Sequence, residues 1–237
     1  MDNFSRYDPI VKEFQKWNID FSETDNRRLT APISYKPTVK ALTAYWTYSF
    51  VYVTCPISIE EANKAFLLLW RKKLFTQISL PVRFVFEMWA ATHYAANLMK
   101  KVQNTSKKEE LRNYVQLIDR LTMGSRYPIP DFIGKPIQIQ SLNVMTYIDK
   151  LNDDFPDARN MYDYLCVSCH PTAPQLFYWG TMYPDFNNNY VLRDLGQDMI
   201  RRTLDTMRIA LDGTKTDIEN TFKICLDIEE TEREKQR

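Results

Sequence analysis

Arg83 and Glu87 are the only formal charges between Leu80 and Ala96. Four positions apart, they lie one above the other on a single helical face. In apolar surroundings they must hydrogen-bond, since stranding one buried member costs roughly 3–5 kcal/mol. Tyr94 continues their face, and His93 falls on the neighbouring one with Phe86 and Trp89. As structure, this is a buried ion pair. As chemistry, Arg83 and Glu87 could join Tyr162 and His170 in general acid–base work on a phosphodiester. His170-Pro171 favours that option, because a residue before proline leaves helical geometry and a helix C-terminus favours a charged imidazolium. His170 would then sit at the mouth between its own helix and the one bearing Arg83. The segment Thr172–Asn189 begins there, and its Trp179, Tyr178 and Tyr183 could close over a ligand or stack on a base. With Arg126 they form the candidate binding set. The structural alternative is that His170 caps its helix while the loop seals the core.

Cys166-Val-Ser-Cys169-His170 spells the C-x-x-C-H pattern of covalent haem attachment. Two thiols one turn apart add to the haem vinyls, and the histidine serves as axial ligand. Attachment of that kind belongs outside the cytoplasm, where this chain shows no export signal. Zinc needs four ligands, and Cys55, Cys225, His93 and His170 supply no second paired knuckle. A redox pair gains reactivity at a helix N-terminus, whereas these cysteines fall at a C-terminal end. The bland reading is two small residues on the inner face of a helix. The sequence thus calls for no metal and no cofactor.

The elements that position these residues read as helices. Asp212-Gly213 is the one Asp-Gly pair, and no hairpin turn joins two alternating runs. Ser58-Ile-Glu-Glu61, Ser106-Lys-Lys-Glu109 and Thr216-Asp-Ile-Glu219 each fit a capping box. Periodicity predicts helices over 59–76, 81–103, 107–123, 142–154, 157–169, 190–212 and 217–234. Pro81 and Pro156 suit first turns, and Gly213 suits a left-handed stop. Gly124–Ser141 and His170–Asn189 carry prolines that forbid helical interiors. The expected fold is all-α, a multi-helix bundle with two long Pro- and aromatic-rich loops, in one domain spanning 1–237. Within it, residues 1–56 pack on the bundle, 57–171 form its core, 172–189 the aromatic loop and 190–237 the C-terminal helices.

Composition limits the function classes. Thirty-one basic side chains against thirty acidic ones leave a net charge of +1, so no global field gathers nucleic acid or anionic membrane. A local basic patch is not excluded by that balance. The N-terminus, MDNFSRYDPIVKEF, has no basic region followed by an apolar run. The most apolar stretch, Val39 to Pro56, carries Lys40, Thr43, Thr47 and Ser49 and reads as a buried helix or an extended segment. No membrane association is expected. Four cysteines in a cytoplasmic chain are expected as reduced thiols.

Arg83-Phe-Val-Phe-Glu87 inside an apolar helix resembles the R-x-x-x-E helix of certain uncharacterised bacterial helical proteins. Tyr162-Asp-Tyr-Leu165, followed by Cys166-Val-Ser-Cys169-His170-Pro171, is similar to their tyrosine–leucine–serine run ending in His-Pro-Asn. Those proteins are related to the HEPN (higher eukaryotes and prokaryotes nucleotide-binding) bundles found among toxins, abortive-infection proteins and other defence components. The resemblance spans roughly Ile57–Pro171. It implies a role in a bacterial or phage conflict or stress pathway, exercised by binding a partner protein or RNA, with a homodimer open. Cys166 stands where the family often has serine and Thr172 where it has asparagine. HEPN ribonucleases carry an arginine four to six residues before the catalytic histidine, and here Arg159 lies eleven before His170. The resemblance therefore favours binding. The alternatives are a metal-independent RNase or nucleotide-modifying enzyme using His170 with Arg83, Glu87 and Tyr162, and a c-type haem protein.

Overall fold

The computed structural model describes residues 5–17, 38–124, 129–130, 136–169 and 190–235. Helix α1 spans Asp8–Lys16, with a proline in its first turn and Asp8 at its positive end. Helix α2, Val39–Tyr48, is capped by the Thr38 hydroxyl, which accepts from the Ala41 N–H at 3.2 Å. Helix α3 spans Cys55–Arg71, α4 Ser79–Asn104 and α5 Lys108–Thr122. Helices α6, Val144–Asp154, and α7, Ala158–Cys169, follow, and α8 runs from Tyr190 to Glu234. Strand structure among the described residues is one antiparallel pair, Ile129–Pro130 with Pro136–Ile137. The fold is an all-α, multi-helix bundle. Among the described residues no helix is long and apolar enough to cross a membrane. The aromatic loop and half of Gly124–Ser141 lie outside the described residues.

The stretch from Val39 to Pro56 is helical, and Pro56 explains how. Proline lacks an N–H and crowds the carbonyl four residues back. A π-helical turn over Ser49–Thr54 widens the ladder just before it, with the Cys55 N–H donating to the Phe50 carbonyl five residues earlier. Helix α3 accordingly begins ahead of Ser58, which is interior rather than a cap. Near α5 the expected cap at Ser106 is replaced by Thr105, whose hydroxyl accepts from the Lys107 N–H and donates to Glu110.

The end of α3 uses an unexpected residue. The Leu74 N–H reaches the Leu69 carbonyl and the Lys73 N–H the Trp70 carbonyl, both at 2.9 Å. That pair of bonds is a Schellman cap, which places a residue with positive φ where glycine is usual. Here it is Lys73, at φ 58°. A left-handed L-residue costs roughly 1–2 kcal/mol.

Gly213 and Thr216 do not separate two C-terminal helices, as the sequence predicts. Helix α8 passes through both. Gly213 is there for space, since a Cβ at this position would land on Cε2 and Nε1 of the Trp89 indole. Close packing against a large aromatic outweighs the weak helix propensity of glycine, about 1 kcal/mol.

Helical threonines and serines answer for their own burial. Thr43, Thr47, Ser168, Thr203 and Thr221 each donate to the carbonyl four residues back, at 2.7–2.9 Å. Polar side chains thereby occupy inner faces without stranded hydroxyls.

Two compact units emerge from the packing, and residues 57–171 contribute to both. The first comprises residues 1–19, 57–89 and 152–213. Its core strings Phe14, Phe66, Trp70 and Phe75 together at centroid distances of 5.0–6.2 Å. Phe86, Trp89 and Phe155 form a further aromatic group, and Asn63 Nδ2 ties α1 to α3 by donating to the Phe14 carbonyl at 2.8 Å. The second unit comprises residues 20–56, 90–151 and 214–237. Its core gathers Tyr48, Tyr94, Leu98, Met99, Val102, Ile118, Phe222, Cys225 and Ile228.

Gly213→Ala is expected to destabilise the protein by about 1–3 kcal/mol, because overpacking against Trp89 exceeds the gain in helix propensity. Thermal denaturation checks it. A variant melting above the wild type would show that the indole yields and the glycine is incidental.

Candidate functional site

Arg83, Glu87 and Tyr162 meet in the first unit. Pro81 lies in the first turn of α4, where a missing N–H costs nothing, and the helix then carries Arg83 and Glu87 one turn apart. Arg83 Nε donates to Glu87 Oε1 at 2.9 Å. Its Nη2 donates to the Tyr162 hydroxyl at 3.0 Å. That hydroxyl in turn donates to Glu87 Oε1 at 2.8 Å. The guanidinium carbon stands 5.3 Å from the centroid of the Tyr162 ring, within cation–π range. Tyr162 is brought there by the inner stripe of α7, which buries Ala158, Tyr162, Leu165 and Ser168.

The pair is less buried than the sequence predicts. The side chains of Arg83 and Glu87 retain 32% and 26% of their exposure. Helix α4 is not covered all round, for Leu80 and Phe84 are also exposed. Water therefore shares in solvating the pair, and the network is a half-sheltered one.

Its electrostatics hold the protons of Arg83 and Tyr162 in place. Burial opposes the charge on Arg83, but the hydrogen bonds to Glu87 and Tyr162 outweigh it and hold the guanidinium firmly protonated. Burial, then the hydrogen bond to the Glu87 carboxylate, pushes the Tyr162 phenol well above its usual range. Burial also raises the Cys169 thiol, and the charge and hydrogen bond of Arg83 pull it back only in part. The result is a lasting cation and a phenol that keeps its proton.

Cys166 and Cys169 are half-buried at the margin of α7 rather than on its inner face. That margin places them beside Arg83 and Glu87, whose charges both act on Cys169. Among the described residues no group of three or more histidines, cysteines, aspartates or glutamates is placed to hold a metal. His170, Trp179, Tyr178, Tyr183 and Arg126 lie outside the described residues.

The sequence missed a second polar cluster, in the other unit. His93 Nδ1 lies 3.1 Å from Asp217 Oδ2, and its Nε2 is 3.0 Å from Asn97 Nδ2. All three belong to helices, and His93 and Asp217 are buried. Asn97 is one turn from His93 on α4, so that contact was open to spacing arguments. Asp217 is 124 positions away, and as second residue of an apparent capping box it read as helix-start chemistry. Here it is a helix-interior carboxylate turned onto an imidazole.

Comparison with family models, with curated proteins and with solved structures finds no match for this chain. Two outcomes test the network itself. Glu87→Ala is expected to destabilise by about 1–3 kcal/mol, the range for a sheltered donor losing its partner, and less than full burial would give. A chemical-denaturation series reads it, and a loss below a few tenths of a kcal/mol would mean that water replaces the carboxylate. The second concerns alkaline pH. Tyr162 holds its proton in the fold above the ordinary tyrosine value of 10.0, so its contribution is complete below that pH and drains as pH rises beyond it. Stability of the wild type should fall between about pH 9 and pH 11 more steeply than that of Tyr162→Phe. Parallel curves would disprove a protected phenol.

Proposed function

We propose that the chain is a helical binding protein related to the HEPN group. It acts in a bacterial or phage conflict or stress pathway by binding nucleic acid or a partner protein, and not by cutting phosphodiesters. The reading is carried by the locked protonation of the Arg83–Glu87–Tyr162 network. General acid–base catalysis needs a group that exchanges its proton near the working pH. Arg83 and Tyr162 are both driven away from that range, and the one carboxylate is occupied by two donors. Such a network holds α4 and α7 together at a half-exposed position, with the Arg83 cation matched by the Glu87 carboxylate. The resemblance over Ile57–Pro171, with its missing arginine before His170, supports the same conclusion.

The experiment is incubation of purified protein with total RNA under metal chelation, run beside a mobility-shift assay. RNA of unchanged length is expected. Fragments that appear with the wild type and vanish with Glu87→Gln would overturn the binding reading in favour of a nuclease.

A further inference from the structure

All four cysteines lie among the described residues, and they are of two kinds. Cys55 and Cys225 are sealed inside at 0% exposure, and burial drives both thiols far above their usual range. Cys166 and Cys169 are half-buried and stand one turn apart at the end of α7. A thiol is oxidised through its thiolate, and only where an oxidant can reach it. The first two fail that condition and the second two meet it. Helical rise and radius set the Cα atoms of such neighbours about 5 Å apart. A disulfide bridges Cα separations of roughly 4.4–6.8 Å. The Cβ atoms begin about 5–6 Å apart, against about 3.8 Å in a disulfide, so the last turn must tighten. Cys169 is the final residue of α7, which puts that adjustment at a helix end rather than in an interior turn.

We propose that Cys166 and Cys169 are a modification site, a dithiol that hydrogen peroxide oxidises to an intrahelical disulfide. The negative end of the α7 dipole opposes a thiolate, and the opposing charge comes from another helix. Arg83 of α4 offers Cys169 both a hydrogen bond and a positive charge, while the Glu87 carboxylate acts against it more weakly. Burial still holds the Cys169 thiol above its usual range, so its thiolate is a minority form and the reaction is slow. Arg83 faces the sulfur that must carry the charge, which assigns the attack to Cys169 and the closing step to Cys166. The Cys169 thiolate attacks the peroxide, an S–O bond forms as the O–O bond breaks, and the leaving oxygen takes up a proton and departs as water. The Cys166 sulfur then displaces the sulfenic oxygen. The S–S bond forms, and that oxygen leaves with the Cys166 proton as a second water. Two thiols are oxidised by two electrons, and one peroxide is reduced to two waters. The site does not depend on what the chain binds.

Intact-mass spectrometry of the reduced full chain tests it, after treatment with hydrogen peroxide and alkylation in denaturant. The treated wild type is expected to lose two hydrogens and to alkylate at Cys55 and Cys225 alone, two sites in place of four. Cys166→Ser should form no disulfide and should accumulate a sulfenic acid at Cys169, which dimedone captures. Arg83→Gln should oxidise several-fold more slowly at neutral pH, and Arg83→Lys should recover part of the rate. Where Arg83→Gln does not fold, the wild type and Cys166→Ser decide the outcome by themselves. Four alkylated cysteines in the treated wild type overturn the proposal, as does a disulfide that joins two chains. So does loss of Cys55 or Cys225 at the rate of the pair, which would mark general opening of the fold. A folded Arg83→Gln that oxidises as fast as the wild type overturns it too, because the guanidinium then supplies nothing to the attack.

Discussion

A guanidinium inside a predominantly apolar helix is the constraint around which the first unit is arranged. Arg83 cannot shed its proton, so it must be solvated by whatever the fold brings near it. Glu87 does part of this from within the same helix. The Arg83 Nη2 requires an acceptor from elsewhere, and the Tyr162 hydroxyl supplies it while donating its own hydrogen bond to the same carboxylate. Three side chains thus form a closed ring with the Tyr162 face beneath the cation. The aromatic ring stacks in turn near Phe86, with centroids 6.3 Å apart, so polar and apolar packing fix the same register of α7 on α4. Displacing α7 by one residue would rotate Tyr162 by about 100° and leave Arg83 facing a different side chain.

The second unit meets the same requirement with different groups. His93 lies in a buried stretch of α4, and its ring has two nitrogens to satisfy. Asp217 and Asn97 flank them. In the same unit the aromatic side chains of Tyr48, Tyr52 and Phe222 pack on one another at centroid distances of 5.0–5.7 Å. Buried hydroxyls here, as at Thr47, and in the first unit, as at Thr203, use the carbonyl one turn back, a solution open only to helices. Threonine's ordinary preference for strands is overridden on these inner faces, where the carbonyl one turn back accepts from the buried hydroxyl.

Positive charge is distributed by the same logic of what is already engaged. Arginines beside Asp198 are neutralised locally, and Arg83 is held within its ring. Geometry, more than composition, decides which cations can meet an anion from outside.

Periodicity and proline placement determined much of the fold by themselves. They give the helices from α3 to α7 to within a few residues, and the one-turn spacing of Arg83 and Glu87 already implies their ion pair. Such features depend on neighbours within a single turn, where backbone geometry fixes the distance between side chains. The helix over Val39–Tyr48 stayed ambiguous because apolar residues there satisfy either periodicity. Helix α8 defeated the local signals altogether. Gly213 and the Thr216 box read as a stop and a start, but Trp89 fills the space a side chain would need, and Asp217 is drawn to His93. Partners 75 and 124 positions apart, Glu87 with Tyr162 and His93 with Asp217, are chosen by which helices pack together. Local chemistry could name the candidates, whereas only burial, which makes an unpaired charge or a misplaced methyl expensive, decided how they were joined.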